Sequence, residues 1–256
     1  MAMTKEKAAR ELQTSDRLYV AYSTATKLPY VTCDEESFND QAWIFATEEG
    51  LKKFAQEKYK EKILLAGTRF EKKDLNRLYA TLYAIDVNAI VYVNGEDQVE
   101  VELSSVAKQA DFSKMEESRR PLFNPAVQLC GIYFMQELRR PREKDDPRPN
   151  LRAQEEELIA NLRKAQFLVP MEVSPEDPKK ISVPYLKNKN GDILQPAFTD
   201  VLELERFARG KKLRAAKVPF DKLHGLLIEQ AKALVINPMG INLILDRDML
   251  KKIGGV

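Results

Sequence analysis

The chain is poor in the residues that carry most enzymatic chemistry. Its 256 residues include one histidine, His224, and two cysteines, Cys33 and Cys130. A single imidazole leaves little room for a Ser-His-Asp or Cys-His centre, which sets a base beside its nucleophile. Two distant cysteines make neither a disulfide scaffold nor a zinc site, and with one histidine a transition-metal centre is disfavoured. The ten glycines are dispersed, and neither GxGxxG nor GxxxxGK followed by Ser or Thr occurs, so no standard phosphate cradle is present. No apolar run approaches the ~18 residues that cross a membrane. Met1 to Lys7 lack the apolar core of a secretory signal. No catalytic, cofactor-binding or metal-binding residue is therefore expected. The acidic runs Asp34-Glu35-Glu36 and Glu155-Glu156-Glu157 read as solvated faces. His224 reads as a surface or half-buried helix histidine, beside Leu223, Leu226 and Leu227 facing a core.

What is present is a repeat. Phe45-Ala-Thr-Glu-Glu-Gly-Leu-Lys-Lys-Phe54 lies beside Phe198-Thr-Asp-Val-Leu-Glu-Leu-Glu-Arg-Phe207 at matching offsets. Thr47 and Asp200 are good N-cap types, whose side-chain oxygen accepts an orphan amide of the first turn. Upstream, helix patterns at Thr4–Gln13 and Leu151–Gln166 precede strand patterns at Leu18–Tyr22 and Phe167–Met171. Downstream come short strands, Ile63–Ala66 and Leu213–Ala216, each leading to a Phe (Phe70, Phe220) and a second short helix. Buried strands at Ala89–Val93 and Ala233–Asn237 follow. Val93-Asn94-Gly95-Glu96 predicts a type I′ hairpin turn with both central residues at φ > 0. Asn237-Pro238-Met239-Gly240 predicts a type I turn, with glycine taking the left-handed conformation. Alternating strands at Gln98–Leu103 and Ile241–Leu245 close the units.

The expected fold class is α+β: two tandem related units, each a mixed β-sheet with packed helices. Their bounds are 1–103 and 151–256. A connector, 104–150, holds an apolar helix at 125–138 and a proline-rich linker at 140–149 that should be exposed and extended. Asn124 is the expected N-cap of that helix and Pro125 its first residue. Apolar nearly all round, the helix must be buried, by packing within the chain or as a homodimer interface.

Charge is uneven. Segments 1–103, 104–150 and 151–256 carry −4, +2 and +4, which sum to the overall +2. The strongest basic cluster is Arg206, Arg209, Lys211, Lys212, Arg214 and Lys217. It suits helix-dipole complementation, or an anionic partner surface. No nucleic-acid motif accompanies it, so nucleic acid is disfavoured as its partner.

Four blocks of the second half resemble the SseB-like (enhanced serine sensitivity) family. They are Phe167-Leu-Val-Pro170, Leu194-Gln-Pro-Ala-Phe-Thr-Asp200, Val218-Pro-Phe-Asp221 and Val235-Ile-Asn-Pro-Met-Gly-Ile-Asn-Leu-Ile-Leu245. The resemblance spans roughly residues 160–250, and the first half looks like a diverged copy with Asn94-Gly95 in place of Asn-Pro. It implies a bacterial, cytoplasmic protein with no catalytic residues to carry over. Pro170, Pro196 and Pro219 should punctuate strand ends or edges, and Phe198, Phe207 and Phe220 should be core. Asn237, Pro238 and Gly240 should form the motif turn. The reading is a non-enzymatic binding or adaptor protein with a protein partner, no cofactor and no membrane segment. The alternative is a small-ligand sensor or enzyme with its site in a cleft between the units.

Overall fold

A computed structural model of the chain describes residues 2–142, 147–173, 181–211 and 213–255. It is α+β, and it divides into two compact units. Unit 1 comprises Met1–Lys114 and Ile132–Leu151, and unit 2 comprises Met115–Gly131 and Arg152–Val256. The segment expected as a separate connector is thus shared between the two.

Unit 1 is one mixed sheet. Its strands are β1 (Arg17–Ser23), β2 (Val31–Cys33), β3 (Asp40–Phe45), β4 (Leu65–Glu71), β5 (Ala89–Asn94) and β6 (Asp97–Glu102). Their order is β4-β1-β3-β5-β6, with β2 also on β3. Only β3 and β5 run parallel. A parallel pair needs a crossover. Here it runs through α2 (Glu48–Lys60), β4 and α3 (Leu75–Ala84), while α1 (Lys5–Thr14) precedes β1 and a single turn, α4 (Leu103–Val106), follows β6. Helix α1 buries Ala8 and Leu12, one turn apart on one face, and Thr4 caps it. In α2, Glu48 and Glu49 sit in the first turn and Lys58 and Lys60 in the last, each complementing the helix dipole.

Strand β4 starts two residues later than the apolar run Ile63–Ala66 suggests and continues through Thr68 and Arg69. It is a sheet edge with half-exposed side chains, so an apolar run underestimates it. The β5–β6 turn also differs from expectation. Asn94 pairs with Asp97, so the two-residue loop is Gly95-Glu96, and only Gly95 is left-handed, at φ 64°. A glycine at the first loop position is the requirement of a type II′ turn, not I′. Asn94 stays in the strand and donates its amide to Glu11 Oε2 at 3.0 Å.

Helix α5 (Pro125–Arg139) begins at the proline expected to be its first residue. The unit boundary falls within it. In unit 2, Val127, Gln128 and Cys130 are buried; in unit 1, Ile132, Phe134 and Met135 are. This in-chain burial leaves a homodimer interface little apolar surface on the helix, chiefly Leu138. Within unit 1, Gln136 exchanges hydrogen bonds with the Val31 backbone, and Tyr133 donates to Asp40 Oδ1 at 2.5 Å. Part of the proline-rich linker, residues 143–146, lies outside the described residues. Arg148 is not extended into solvent as expected: its guanidinium donates to the carbonyls of Leu138 and Arg140.

Unit 2 takes the first part of α5 and resumes at Arg152, in α6 (Leu151–Lys164). It continues with β7 (Gln166–Val173), β8 (Ile181–Ser182), β9 (Leu186–Lys187), β10 (Ile193–Ala197), α7 (Val201–Ala208), β11 (Arg214–Pro219), α8 (Phe220–Leu226), β12 (Ala231–Ile236), β13 (Leu243–Asp246) and α9 (Arg247–Gly254). The strands form two sheets, β13-β12-β10-β9 and β11-β7-β8. A single bridge, Leu168 to Phe198, joins β7 to the end of β10 with hydrogen bonds of 2.8 and 2.9 Å. Through it the path β11-β7-β10-β12-β13 repeats the order of unit 1, again with one parallel pair, β10 and β12. Pro170 and Pro196 lie inside strands rather than at their ends. Each falls where its strand has a neighbour on one side only: between the bridge and β8 for Pro170, between β9 and the bridge for Pro196. A missing N–H costs nothing there. Phe198 and Phe220 are core as expected, and Phe207 is half-buried, its ring 5.2 Å from that of Phe198. Leu226, expected to face the core, is 47% exposed, while Leu223 and Leu227 are buried.

Candidate functional site

Strands β10 and β12 are parallel, so their carboxyl ends open on the same side. In open α/β sheets that is where ligands usually bind. In unit 2 this position is occupied by the chain's own polar side chains. Thr199, Asp200 and Asn237 are wholly buried, and Gln128 and Glu203 nearly so. Asp200 caps α7, its Oδ1 accepting from the Leu202 and Glu203 amides at 2.9 and 3.0 Å. Its Oδ2 accepts from the Thr199 hydroxyl at 2.6 Å and from Gln128 Nε2 at 3.0 Å. Asn237 closes the circuit: its Nδ2 donates to Thr199 Oγ1 at 2.7 Å, and its Oδ1 accepts from the Thr199 amide at 3.0 Å. Asn124 does not cap α5 with its side chain. Its Nδ2 donates to the carbonyls of Thr199 and Gln166 at 2.6 and 2.7 Å, tying the start of α5 to the end of β10 and the start of β7.

The motif turn forms as expected but for a different reason. The Gly240 amide donates to the Asn237 carbonyl at 2.9 Å, which makes the four-residue turn around Pro238. The left-handed residue is Asn237, at φ 48°, and not Gly240. Asparagine tolerates that conformation better than most residues. Glycine is required at 240 for space: a Cβ there would lie 2.9 Å from Glu203 Oε2.

Glu203 is the chemically unusual member. It is 4% exposed. One oxygen accepts from Arg206 at 3.0 Å; the other, like Gln128 Oε1, has no hydrogen-bond partner among the described residues. Burial pushes its carboxyl up to about 7; Arg206 pulls it back and the nearby Asp200 carboxylate raises it further. The site can therefore take up or release one proton near neutrality. It presents no helix N-terminus to an anion, because Asp200 already fills that place.

The basic cluster is divided in the structure. Arg206 pairs with Glu203. Arg209 is exposed at the left-handed C-cap of α7, and Lys211 and Arg214 are exposed. Lys217 donates to the carbonyls of Arg120 and Glu117 at 2.7 and 3.5 Å. Lys212 lies outside the described residues. His224 is half-buried on α8, its Nδ1 2.8 Å from the Asp221 carbonyl. Cys33 is exposed and Cys130 buried, both free; burial pushes the Cys130 thiol up to about 12, which leaves it inert. Glu155, Glu156 and Glu157 are all exposed.

Unit 1 holds an open cavity of about 330 Å³ beside the amino end of β5, lined in part by Asn39, Tyr83, Asp86, Asn88 and Glu102. Asp86 follows α3 in the left-handed conformation, at φ 64°, and partial burial followed by the Asp40 charge raises its carboxyl above the usual range. Among the described residues, no group of three or more His, Cys, Asp or Glu side chains is placed to hold a metal ion, and no helix is long and apolar enough to cross a membrane.

Sequence reasoning finds Asp200 as a cap and Asn237, Pro238 and Gly240 as a turn. It misses Gln128 and Glu203. Gln128 is separated from Asp200 by 72 positions, and nothing local signals the pairing. A signal for Glu203 exists in retrospect, since it stands on the buried side of a short helix opposite a glycine.

Residues 150–252 match the family model of the SseB protein N-terminal domain. The SseB match covers α6 through most of α9, and so contains the whole polar circuit except Asn124 and Gln128. No curated protein matches the chain. Among solved structures, one described as Anabaena Tic22 (protein transport) aligns over 91% of this chain and 92% of that chain, at 11% identity and a TM-score of 0.23.

Proposed function

We propose that the chain is a non-enzymatic binding protein of SseB-like type that engages a protein partner in the bacterial cytoplasm, and that unit 1 is a diverged copy of the SseB-matched unit. One observation carries the first part. The residues that distinguish the SseB-matched unit are directed inward, where Asp200, Thr199 and Asn237 fasten a helix start, a strand end and a turn to one another. Groups committed in this way hold a shape and do not meet a substrate. The second part is supported by the shared strand order and by the repeated aromatic pair. Phe45 and Phe54 lie 5.3 Å apart, Phe198 and Phe207 5.2 Å, with interplanar angles of 45° and 46°.

Affinity capture from the native lysate, with mass spectrometry of proteins and small molecules, tests the function. A reproducible protein partner is expected. Recovery of a metabolite with no protein would overturn the binding-protein reading. It would favour a ligand sensor, for which the unit 1 cavity and its Asp86 and Glu102 carboxylates are the supporting observation.

A further inference from the structure

Strand β11 is an unpaired edge. It pairs with β7 on one side, and no strand among the described residues lies on the other. Its outward groups differ from those of its counterpart, β4. On β4, Arg69 is neutralised by Glu71 at 2.9 Å. On β11, Arg214 and Lys217 are exposed, with the small, half-buried Ala215 and Ala216 between them. The turn that leads into the strand adds exposed Arg209 and Lys211. Residues 205–217 contain six basic side chains and one acidic, Glu205. Lys217 is held in place by the Glu117 and Arg120 carbonyls.

Exposed edges invite another strand, and charge on the edge decides which one. A second copy of β11 would bring one cationic edge against another, which disfavours self-pairing. A strand with acidic residues at alternate positions meets the reverse situation. Its backbone can pair with the free groups of β11 while its carboxylates meet Arg209, Lys211 and Arg214, and the two alanines allow close approach.

We propose that the β11 edge is a docking site for an extended acidic segment of a partner protein, which adds to the sheet as a further strand. This rests on the binding-protein reading and names the surface and the chemistry of the partner.

The test uses the full chain and a fluorescein-labelled peptide of alternating glutamate and valine, followed by fluorescence anisotropy at low salt and by amide NMR. Saturable binding is expected, with shifted and newly protected Ala215 and Ala216 amides. A lysine–valine peptide should not bind. The triple variant Arg209→Glu, Lys211→Glu, Arg214→Glu, checked for native circular dichroism, should bind roughly tenfold more weakly or worse. Replacing the central valine of the peptide with proline should abolish binding, because a lost backbone donor matters only to strand addition. Unchanged β11 amides at saturating peptide, or equal binding by the charge-reversed variant, would overturn the proposal. So would tight binding of a single-stranded RNA oligonucleotide that needs the same arginines, or salt-sensitive self-association of the chain that the triple variant abolishes. If native-lysate capture still yields a protein partner after the edge proposal fails, the broader reading stands and only the surface is wrong.

Discussion

The two units share a block that behaves very differently in each. In unit 1, Phe45, Thr47 and Phe54 make a strand end, a helix cap and a ring contact, and the cap is exposed, its Oγ1 accepting from the Gly50 amide at 3.1 Å. In unit 2, Phe198, Asp200 and Phe207 make the same three features, but the cap is wholly buried and serves four donors. The exchange of a hydroxyl for a carboxylate accounts for much of this. A threonine oxygen can cap a turn in water; a buried carboxylate must have its lone pairs satisfied, so Gln128 and Thr199 are drawn in around it. The ring geometry is unaffected, so the aromatic pair and the polar circuit are separable parts of the fold.

The comparison can be broken at Asp200. Asp200→Ala removes a cap and leaves Gln128, Thr199 and two amides without that acceptor in a buried site. The expected loss is about 3–5 kcal/mol of unfolding free energy, measured by urea denaturation. Glu203 sharpens it through pH. The carboxyl titrates near 4.5 when unfolded and near 7 in the fold, so the folded chain holds the extra proton between those values. Its contribution is therefore fully favourable below about pH 4.5 and is lost as pH rises to 7, a decline on the order of 3 kcal/mol. Glu203→Gln should flatten that part of the stability profile. Gly240→Ala puts a methyl against Glu203 Oε2 and should cost about 1–3 kcal/mol by thermal or chemical melting. The smallest effect belongs to unit 1: Thr47→Ala should cost about 0.5–1 kcal/mol in the same urea assay, as an exposed cap does.

Much of this architecture is legible in the linear chain. The Phe-cap-Phe spacing identifies both blocks, Pro125 marks the first residue of α5, and the short apolar runs place β1, β5, β7 and β12 within a few positions. What escapes has physical reasons. Gly95 and Gly240 both sit in turns, but one is needed for its dihedral angle and the other for the volume a Cβ would take, and the sequence makes these look alike. Leu226 looks like core because it follows Leu223, yet it sits at the end of a short helix and faces solvent. The polar circuit depends on Gln128 reaching Asp200 across 72 positions, and nothing local marks that glutamine. The basic cluster reads as one patch in sequence but splits in space, where Arg206 turns to Glu203 and Lys217 to backbone carbonyls, leaving Arg209, Lys211 and Arg214 outward.

Amide hydrogen exchange resolved by residue compares the two blocks in one sample. The amides of Leu202 and Glu203 donate to Asp200, and that of Gly50 donates to Thr47. If the polar circuit locks α7 in place, the Leu202 and Glu203 amides exchange only with large-scale opening of unit 2, orders of magnitude more slowly than Gly50, whose exposed cap frays locally. Comparable exchange at all three amides would contradict the account, because the buried circuit would then hold its helix no better than a single threonine does.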